Sequence, residues 1–121
     1  MGLDIYFYDK DEKELEGEFS LSITHNLNTL VKECGNLVGV DYYKIIWRPD
    51  EILEVENGQV RVIYVLEYLP KIIEDLLRFE HTLSGYLPSN GWGNFEQLIS
   101  FLCDYLKACY SNKEHYIYCC R

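Results

Sequence analysis

Three short segments of the sequence carry residue types that recognise ligands or exchange protons. The first is Thr24-His25-Asn26, which lies where a predicted strand passes into a predicted helix. Free backbone N–H groups at the start of a helix favour anions, and a histidine can act as an acid or base near neutral pH. The alternative is structural: Thr24 or Asn26 caps the helix, and His25 is an ordinary polar residue of its first turn.

The second segment, Trp47-Arg48-Pro49, places an aromatic face beside a guanidinium group. The forked donors of Arg48 suit a carboxylate or a phosphate, and Trp47 offers a surface for stacking. The alternative is that Trp47 fills the core while Arg48 pairs with the nearby Asp50 or Glu51.

The third segment, Asn90-Gly91-Trp92-Gly93-Asn94, has a tryptophan between two glycines. Such glycines allow positive φ angles and a close approach of the backbone to a ligand. Trp92 suits stacking on a base or insertion into a partner's pocket, and Asn90 is the polar candidate beside it. The alternative is a tight loop in which Trp92 folds back over the core.

Catalytic signatures are absent from the sequence. It contains no phosphate-binding Gly-Lys-Ser/Thr loop, no Gly-x-Ser-x-Gly elbow and no His-Glu-x-x-His. The histidines and cysteines lack metal-ligand spacing, so we expect neither a metal site nor a cofactor. Asp4 is the one acid in a short apolar strand, and a hydrolase or transferase that pairs Asp4 with His25 is the last of three hypotheses.

The net charge of −9 is unevenly distributed. Residues 1–60 carry 13 acidic and five basic side chains, a net charge of −8, concentrated in residues 9–18 and 50–56. This field repels phosphate backbones, so we expect no direct nucleic-acid binding, and it suits a basic protein partner. The candidate contacts are Asp11, Glu12, Glu14 and Glu16. The alternative is that these acids form solvated loops that aid solubility.

The hydrophobic pattern at the start of the chain predicts two strands and two helices. Residues 3–8 form a strand with Leu3, Ile5 and Phe7 on one face, and residues 18–23 form a second strand, in a hairpin with the first. A helix then begins at Thr24 or Asn26 and ends at Gly35. A short helix over residues 41–47 ends before Pro49.

The rest of the chain predicts two longer helices and a closing strand. Residues 59–83 form one helix bent near Pro70, although the alternation from Val60 to Leu66 also fits a strand. Asn94 caps the last helix with Gln97 as its capping-box partner, and Cys103 and Cys109 fall on its buried side. Residues 114–120 form the closing strand, with Tyr116, Tyr118 and Cys120 on one face.

Together these elements predict a single α+β domain over residues 1–121. The N- and C-terminal strands share a small sheet, and three to four helices pack on one side. We expect no membrane contact, since the start has no signal-peptide pattern and no apolar run is long enough to span a bilayer. The odd number of cysteines indicates reduced thiols and a cytoplasmic setting.

Blocks of sequence spread over nearly the whole chain resemble an uncharacterised family of small proteins from bacteria and their phages. The blocks are MGLDI at the start, ITHNL at 23–27, WRP at 47–49, NGWG at 90–93 with an aromatic residue and Glu96 after it, and YLKAC at 105–109. The chain departs from the family pattern in its acidic segment 9–18 and in the β-branched residues 60–65. The resemblance implies no assigned activity, only a cytoplasmic setting in a bacterium or a phage-infected host.

The leading hypothesis is a non-catalytic protein-binding module that engages a basic partner through its acidic N-terminal half. One specific form is a phage-encoded inhibitor of a host defence complex that handles nucleic acids, because such targets are basic. The second hypothesis is a small-ligand or nucleotide binder that uses His25, Asn26, Arg48 and Trp92. The second hypothesis would be favoured over the first if one pocket were lined by Thr24, His25, Arg48, Asn90 and Trp92.

Overall fold

The two ends of the chain are neighbours in an antiparallel sheet. The computed structural model describes residues 2–11, 21–87 and 93–121. Within these ranges the sheet has the order β2-β1-β5-β4-β3. Its strands are β1 (Gly2–Tyr8), β2 (Leu21–Thr24), β3 (Val55–Glu56), β4 (Gln59–Arg61) and β5 (Tyr116–Cys120).

The central strands β1 and β5 follow the predicted alternation of apolar and polar faces. Leu3, Ile5 and Phe7 are buried in β1, as are Ile117 and Cys119 in β5. Successive side chains of a strand point to opposite faces, so Tyr118 and Cys120 lie on the solvent side. The hairpin of β1 with β2 is confirmed over Leu21–Thr24, and the rest of that predicted strand lies outside the described residues.

The helices cover the apolar face of this sheet, which confirms the α+β class. They are α1 (Asn28–Val38), α2 (Tyr42–Trp47), α3 (Val62–Leu66), α4 (Leu69–Arg78), α5 (Glu80–Leu83) and α6 (Phe95–Ser111). Single 3₁₀ turns over His25–Leu27, Pro49–Glu51 and Ser84–Tyr86 join some of them. The predicted number of three to four helices is too low, because one predicted long helix is divided.

The single helix predicted over residues 59–83 is wrong. Gln59–Arg61 is a strand, since Val60 pairs with Ile117 on one side and with Val55 on the other. Asn57 and Gly58 make the two-residue turn before it with φ angles of 54° and 79°, which is the backbone a tight hairpin needs. The remaining residues form α3, α4 and α5, with Pro70 in the first turn of α4.

Two further expectations about the helices are corrected. Gly35 does not end α1, which continues to Val38 and ends at Gly39, whose φ of 76° is the usual left-handed helix terminus. Cys103 is exposed, whereas Cys109 is buried as predicted. Residues six apart on an α-helix point about 120° away from each other, so the two thiols cannot share the buried stripe of α6.

The predicted start of α6 is confirmed. The Asn94 side chain accepts a hydrogen bond from the backbone N–H of Gln97 at 2.8 Å, and the Asn94 N–H donates to the Gln97 side chain at 2.9 Å. This capping box fixes where α6 begins beside β2. No helix in the described ranges is long and apolar enough to cross a membrane.

Candidate functional site

Two of the three predicted segments meet through their ring side chains. The indole N–H of Trp47 donates a hydrogen bond to Nδ1 of His25 at 2.9 Å. Trp47 is fully buried and stacks on Tyr43, with ring centres 5.7 Å apart. Its aromatic face is therefore occupied within the core, and His25 holds a buried donor that would otherwise be unsatisfied.

The third segment reaches the same corner of the molecule through Gly93. A Cβ atom at Gly93 would lie 3.1 Å from side-chain atoms of both Thr24 and Leu27, and its φ is 111°. The hydroxyl of Thr24 in turn accepts the backbone N–H of Asn26 at 3.3 Å, as an N-cap does. The ends of the three segments thus converge on residues 24–27, while Asn90 and Trp92 lie outside the described residues.

Arg48, the charged residue of the second segment, is paired with an acidic side chain of its own region. Its guanidinium donates to Glu51 at 2.7 Å and contacts the hydroxyl of Tyr43 at 3.5 Å. The hydrogen bond from Arg48 holds the pKa of the Glu51 carboxyl below its usual value. Arg121 joins the same network through a contact with Glu51 at 3.7 Å, and it also pairs with Asp50 at 2.8 Å. Arg48 is therefore part of an ion-pair network that ties the end of the chain to α2.

Asp4 and His25 are not engaged with each other. Asp4 lies on the outer face of β1, opposite Ser22 on one neighbouring strand and Cys120 on the other. His25 follows Thr24, which pairs with Gly2, and its Nδ1 is bonded to Trp47. In the described part of the chain, no three His, Cys, Asp or Glu side chains are grouped to hold a metal ion.

Most of the predicted acidic contacts lie outside the residues that the structure describes. Asp11 is exposed in a turn, where its backbone N–H donates to the Asp9 carboxylate at 2.9 Å. Glu12, Glu14 and Glu16 lie outside the described residues. Asp11 is accordingly the single member of that group whose exposure to a partner is established.

An open groove between β2 and α6 is a further candidate site. Its volume is about 720 Å³, and one wall is β2 itself. The other wall is the N-terminal half of α6, which contributes Glu96, Gln97, Ser100, Phe101 and Asp104. Among the described residues that line the groove, Glu96 and Asp104 are the charged ones, so the groove is acidic.

Sequence reasoning missed this groove, although part of its signal was present. Glu96, Ser100 and Asp104 recur every four residues, which places them on one side of a helix. The sequence pattern of this stretch indicates a cap at Asn94 and Gln97 and a buried side of the helix, and it does not reveal that the exposed acids line a groove. The opposite wall could not be anticipated, because the position of β2 at the end of the sheet depends on pairings made far along the chain.

The solvent face of the sheet is a second exposed surface and is rich in tyrosine. Tyr6 lies opposite Tyr118 and Tyr8 opposite Tyr116, with the rings of Tyr8 and Tyr118 edge to face at 6.5 Å. The Tyr116 hydroxyl donates to Glu56 at 3.0 Å. This face offers aromatic contact area, whereas the β2–α6 groove combines an open strand edge with a uniform charge.

The chain was compared with known proteins at three levels. No protein-family model, no curated protein and no solved structure matches it. Function is therefore inferred from the chain's own side chains and backbone groups.

Proposed function

We propose that this protein is a non-catalytic binding module for a basic segment of a partner protein, with the β2–α6 groove as its contact surface. The observation that carries the proposal is the acidic lining of that groove by Glu96 and Asp104. The net charge of −9 supports it, because a negative surface accelerates encounter with a basic partner and disfavours acidic ones.

The nucleotide-binding alternative has less support. Its guanidinium group at Arg48 is paired with Glu51, and the Nδ1 atom of His25 accepts a hydrogen bond from Trp47. Its stacking residue Trp92 lies outside the described residues. A phosphate would also meet the negative field around the groove rather than a cluster of free cations. Inhibition of a basic host defence complex remains a finer prediction, and its support is the negative charge of the chain.

A designed peptide tests the proposal directly. The probe is acetyl-Thr-Lys-Thr-Val-Thr-Lys-Thr-amide, titrated into ¹⁵N-labelled protein at low salt while amide shifts are followed by NMR. The double variant E96Q/D104N should bind the probe about fivefold more weakly, since exposed charge pairs contribute up to about 1 kcal/mol each. Raising the ionic strength should weaken binding to the wild type and narrow this difference.

The matched control removes the same charge elsewhere. Glu67 and Glu114 are exposed and do not line the groove, so E67Q/E114Q should bind like the wild type. If both double variants lost the same affinity for the peptide, net charge alone would account for binding. No shift changes at about 1 mM probe would contradict the proposal. Charge reversal at Asp11, Glu12, Glu14 and Glu16 then measures what the acidic N-terminal segment adds.

A further inference from the structure

The groove is bounded by a strand edge that has no neighbour among the described strands. β2 is the last strand of the sheet and pairs only with β1 among the described strands. An unpaired edge presents backbone N–H and C=O groups to any extended chain that comes alongside. The open side of β2 is therefore a hydrogen-bonding surface as well as a wall of the groove.

The direction in which the backbone N–H and C=O groups of β2 point follows from the close approach of Gly2 and Ile23. The carbonyl oxygen of Ile23 lies 2.6 Å from where a Cβ on Gly2 would be, so this carbonyl points towards β1. The backbone groups of successive strand residues point to opposite sides. The N–H and C=O of Ser22 are therefore directed outwards, into the groove.

The wall made by α6 matches this edge in length. Gly93, just before α6, lies beside Thr24 at the end of β2. All four residues of β2 line the groove together with α6 as far as Asp104, so α6 runs along the strand from Thr24 towards Leu21. Glu96 and Asp104 are eight residues apart, a rise of about 12 Å along a helix. The three steps from Leu21 to Thr24 span about 10 Å. The spacing of the two carboxylates is therefore similar to the length of the strand, and Phe101 lies between them in the sequence of the α6 wall.

We propose that the basic segment binds as a sixth strand, pairing with β2 through the backbone of Ser22. This proposal rests on the binding function above and specifies how the partner is held. Side chains on one face of an extended segment repeat every second residue, about 6.6 Å apart. A segment with bases at positions i and i+4 and an apolar residue at i+2 meets Glu96, Phe101 and Asp104 in turn.

A proline at position 22 tests the backbone contact without changing any charge. Ser22→Pro removes the outward N–H, and proline is tolerated where the N–H of an edge strand faces solvent. The probe acetyl-Thr-Lys-Thr-Val-Thr-Lys-Thr-amide should bind this variant about tenfold more weakly, through the lost hydrogen bond and the bulk of the ring. Ser22→Ala keeps the N–H and should bind like the wild type.

Hydrogen exchange of the wild type gives the same answer without relying on a variant that could misfold. The Ser22 amide should exchange more slowly when the probe is bound, while the Asn36 amide on the outer side of α1 should not change. A second peptide, acetyl-Thr-Lys-Thr-Val-Lys-Thr-Thr-amide, has the same composition but places its lysines on opposite faces. It should bind several-fold more weakly.

The outcomes separate strand addition from acidic binding in general. If E96Q/D104N weakens binding while Ser22→Pro binds normally and the Ser22 amide stays unprotected, strand addition is wrong and the binding function stands. If the two peptides bind equally, the i, i+4 pattern is wrong. If the acidic variants have no effect, the binding function fails, and strand addition fails with it.

Discussion

At the scale of single residues, the feature that stands out is a buried carboxylate in α4. Asp75 has no exposed surface. Its Oδ2 accepts a hydrogen bond from the Tyr42 hydroxyl at 2.7 Å, and the Lys71 ammonium lies 3.2 Å from its Oδ1. Burial by itself raises the pKa of Asp75, but the contacts with Tyr42 and Lys71 outweigh it, and the pKa is lowered. The charged form is therefore the one the fold stabilises.

We expect Tyr42→Phe to lower the free energy of unfolding by about 2 kcal/mol at pH 7, because it leaves a buried carboxylate with one fewer donor. A depressed carboxyl pKa contributes stability above its ordinary value of 3.8, and this contribution is lost as the pH falls through the folded-state pKa. The difference in free energy of unfolding between the variant and the wild type should therefore become smaller below about pH 4. Urea unfolding at a series of pH values measures this difference.

Tyr43→Phe is the matched control for that experiment. The Tyr43 hydroxyl only accepts a long contact of 3.5 Å from Arg48, near the surface. Removing this hydroxyl should lower the free energy of unfolding by well under 1 kcal/mol. The difference from the wild type should not change at low pH. A cost at position 42 that does not depend on pH would contradict the assignment of Asp75 as a buried charge held by Tyr42.

At the scale of elements, the packing of α1 against the start of α2 depends on Gly35. A Cβ atom there would lie 2.3 Å from the Val40 carbonyl oxygen and 3.0 Å from the backbone nitrogen of Tyr42. Both are backbone atoms, so neither can rotate out of the way. This glycine serves close approach between elements, which explains why it stands inside α1 rather than at its end.

Gly35→Ala should therefore destabilise the protein by about 2 kcal/mol, the usual range for overpacking, although alanine favours a helix by about 1 kcal/mol over glycine. Asn36→Ala is the control on the exposed side of the same helix, where the better helix former should be neutral or slightly stabilising. Thermal unfolding measures both. A stabilised Gly35→Ala variant would show that α1 and α2 are farther apart than described.

The elements that could be predicted from the sequence are those that depend on contacts between residues close together in the chain. The capping box at Asn94 and the alternation in β1 were predicted and confirmed, since caps and faces are set by near neighbours. Val60 could not be assigned this way, because it becomes a strand by pairing with Ile117, far along the chain. The Asn57-Gly58 turn was the local signal for that hairpin. The apolar residues of α3 and α4, spaced three and four positions apart, favoured a helix instead.

The candidate site was predictable only in part for the same reason. Trp47 and His25 have the residue types of a binding site, yet the structure joins them to each other. Residue type does not reveal whether a polar side chain faces a ligand or satisfies a buried neighbour. The β2–α6 groove depends on which strand ends the sheet, a property of the whole topology.

At the scale of the whole molecule, the charge along the chain differs from the charge the structure presents. In the predicted acidic stretch 50–56, Asp50 is paired with Arg121 and Glu51 with Arg48. The groove acids Glu96 and Asp104 instead belong to the second half of the chain, whose net charge is only −1. Folding thus neutralises part of the acidic stretch 50–56 and places a different pair of acids, Glu96 and Asp104, beside the edge of β2.

The buried thiols give the molecule a characteristic response to alkaline pH. Burial raises the pKa of Cys34 to about 11 and that of Cys119 to about 12, and it also raises the pKa of Cys109. A raised folded-state pKa means that stability is fully present below the unfolded value of 9.0 and is lost as the pH rises above it.

Between pH 7 and pH 10, we expect the free energy of unfolding to fall by about 4 kcal/mol, roughly 1.4 kcal/mol for each of the three thiols. Urea unfolding in the presence of a reducing agent measures this loss. Cys109→Ala should reduce the pH-dependent loss by about a third, whatever its effect on stability at pH 7. Cys103→Ala removes an exposed thiol and should leave the loss unchanged. Constant stability up to pH 10, or equal effects of the two substitutions, would mean that these thiols are not held neutral by the core.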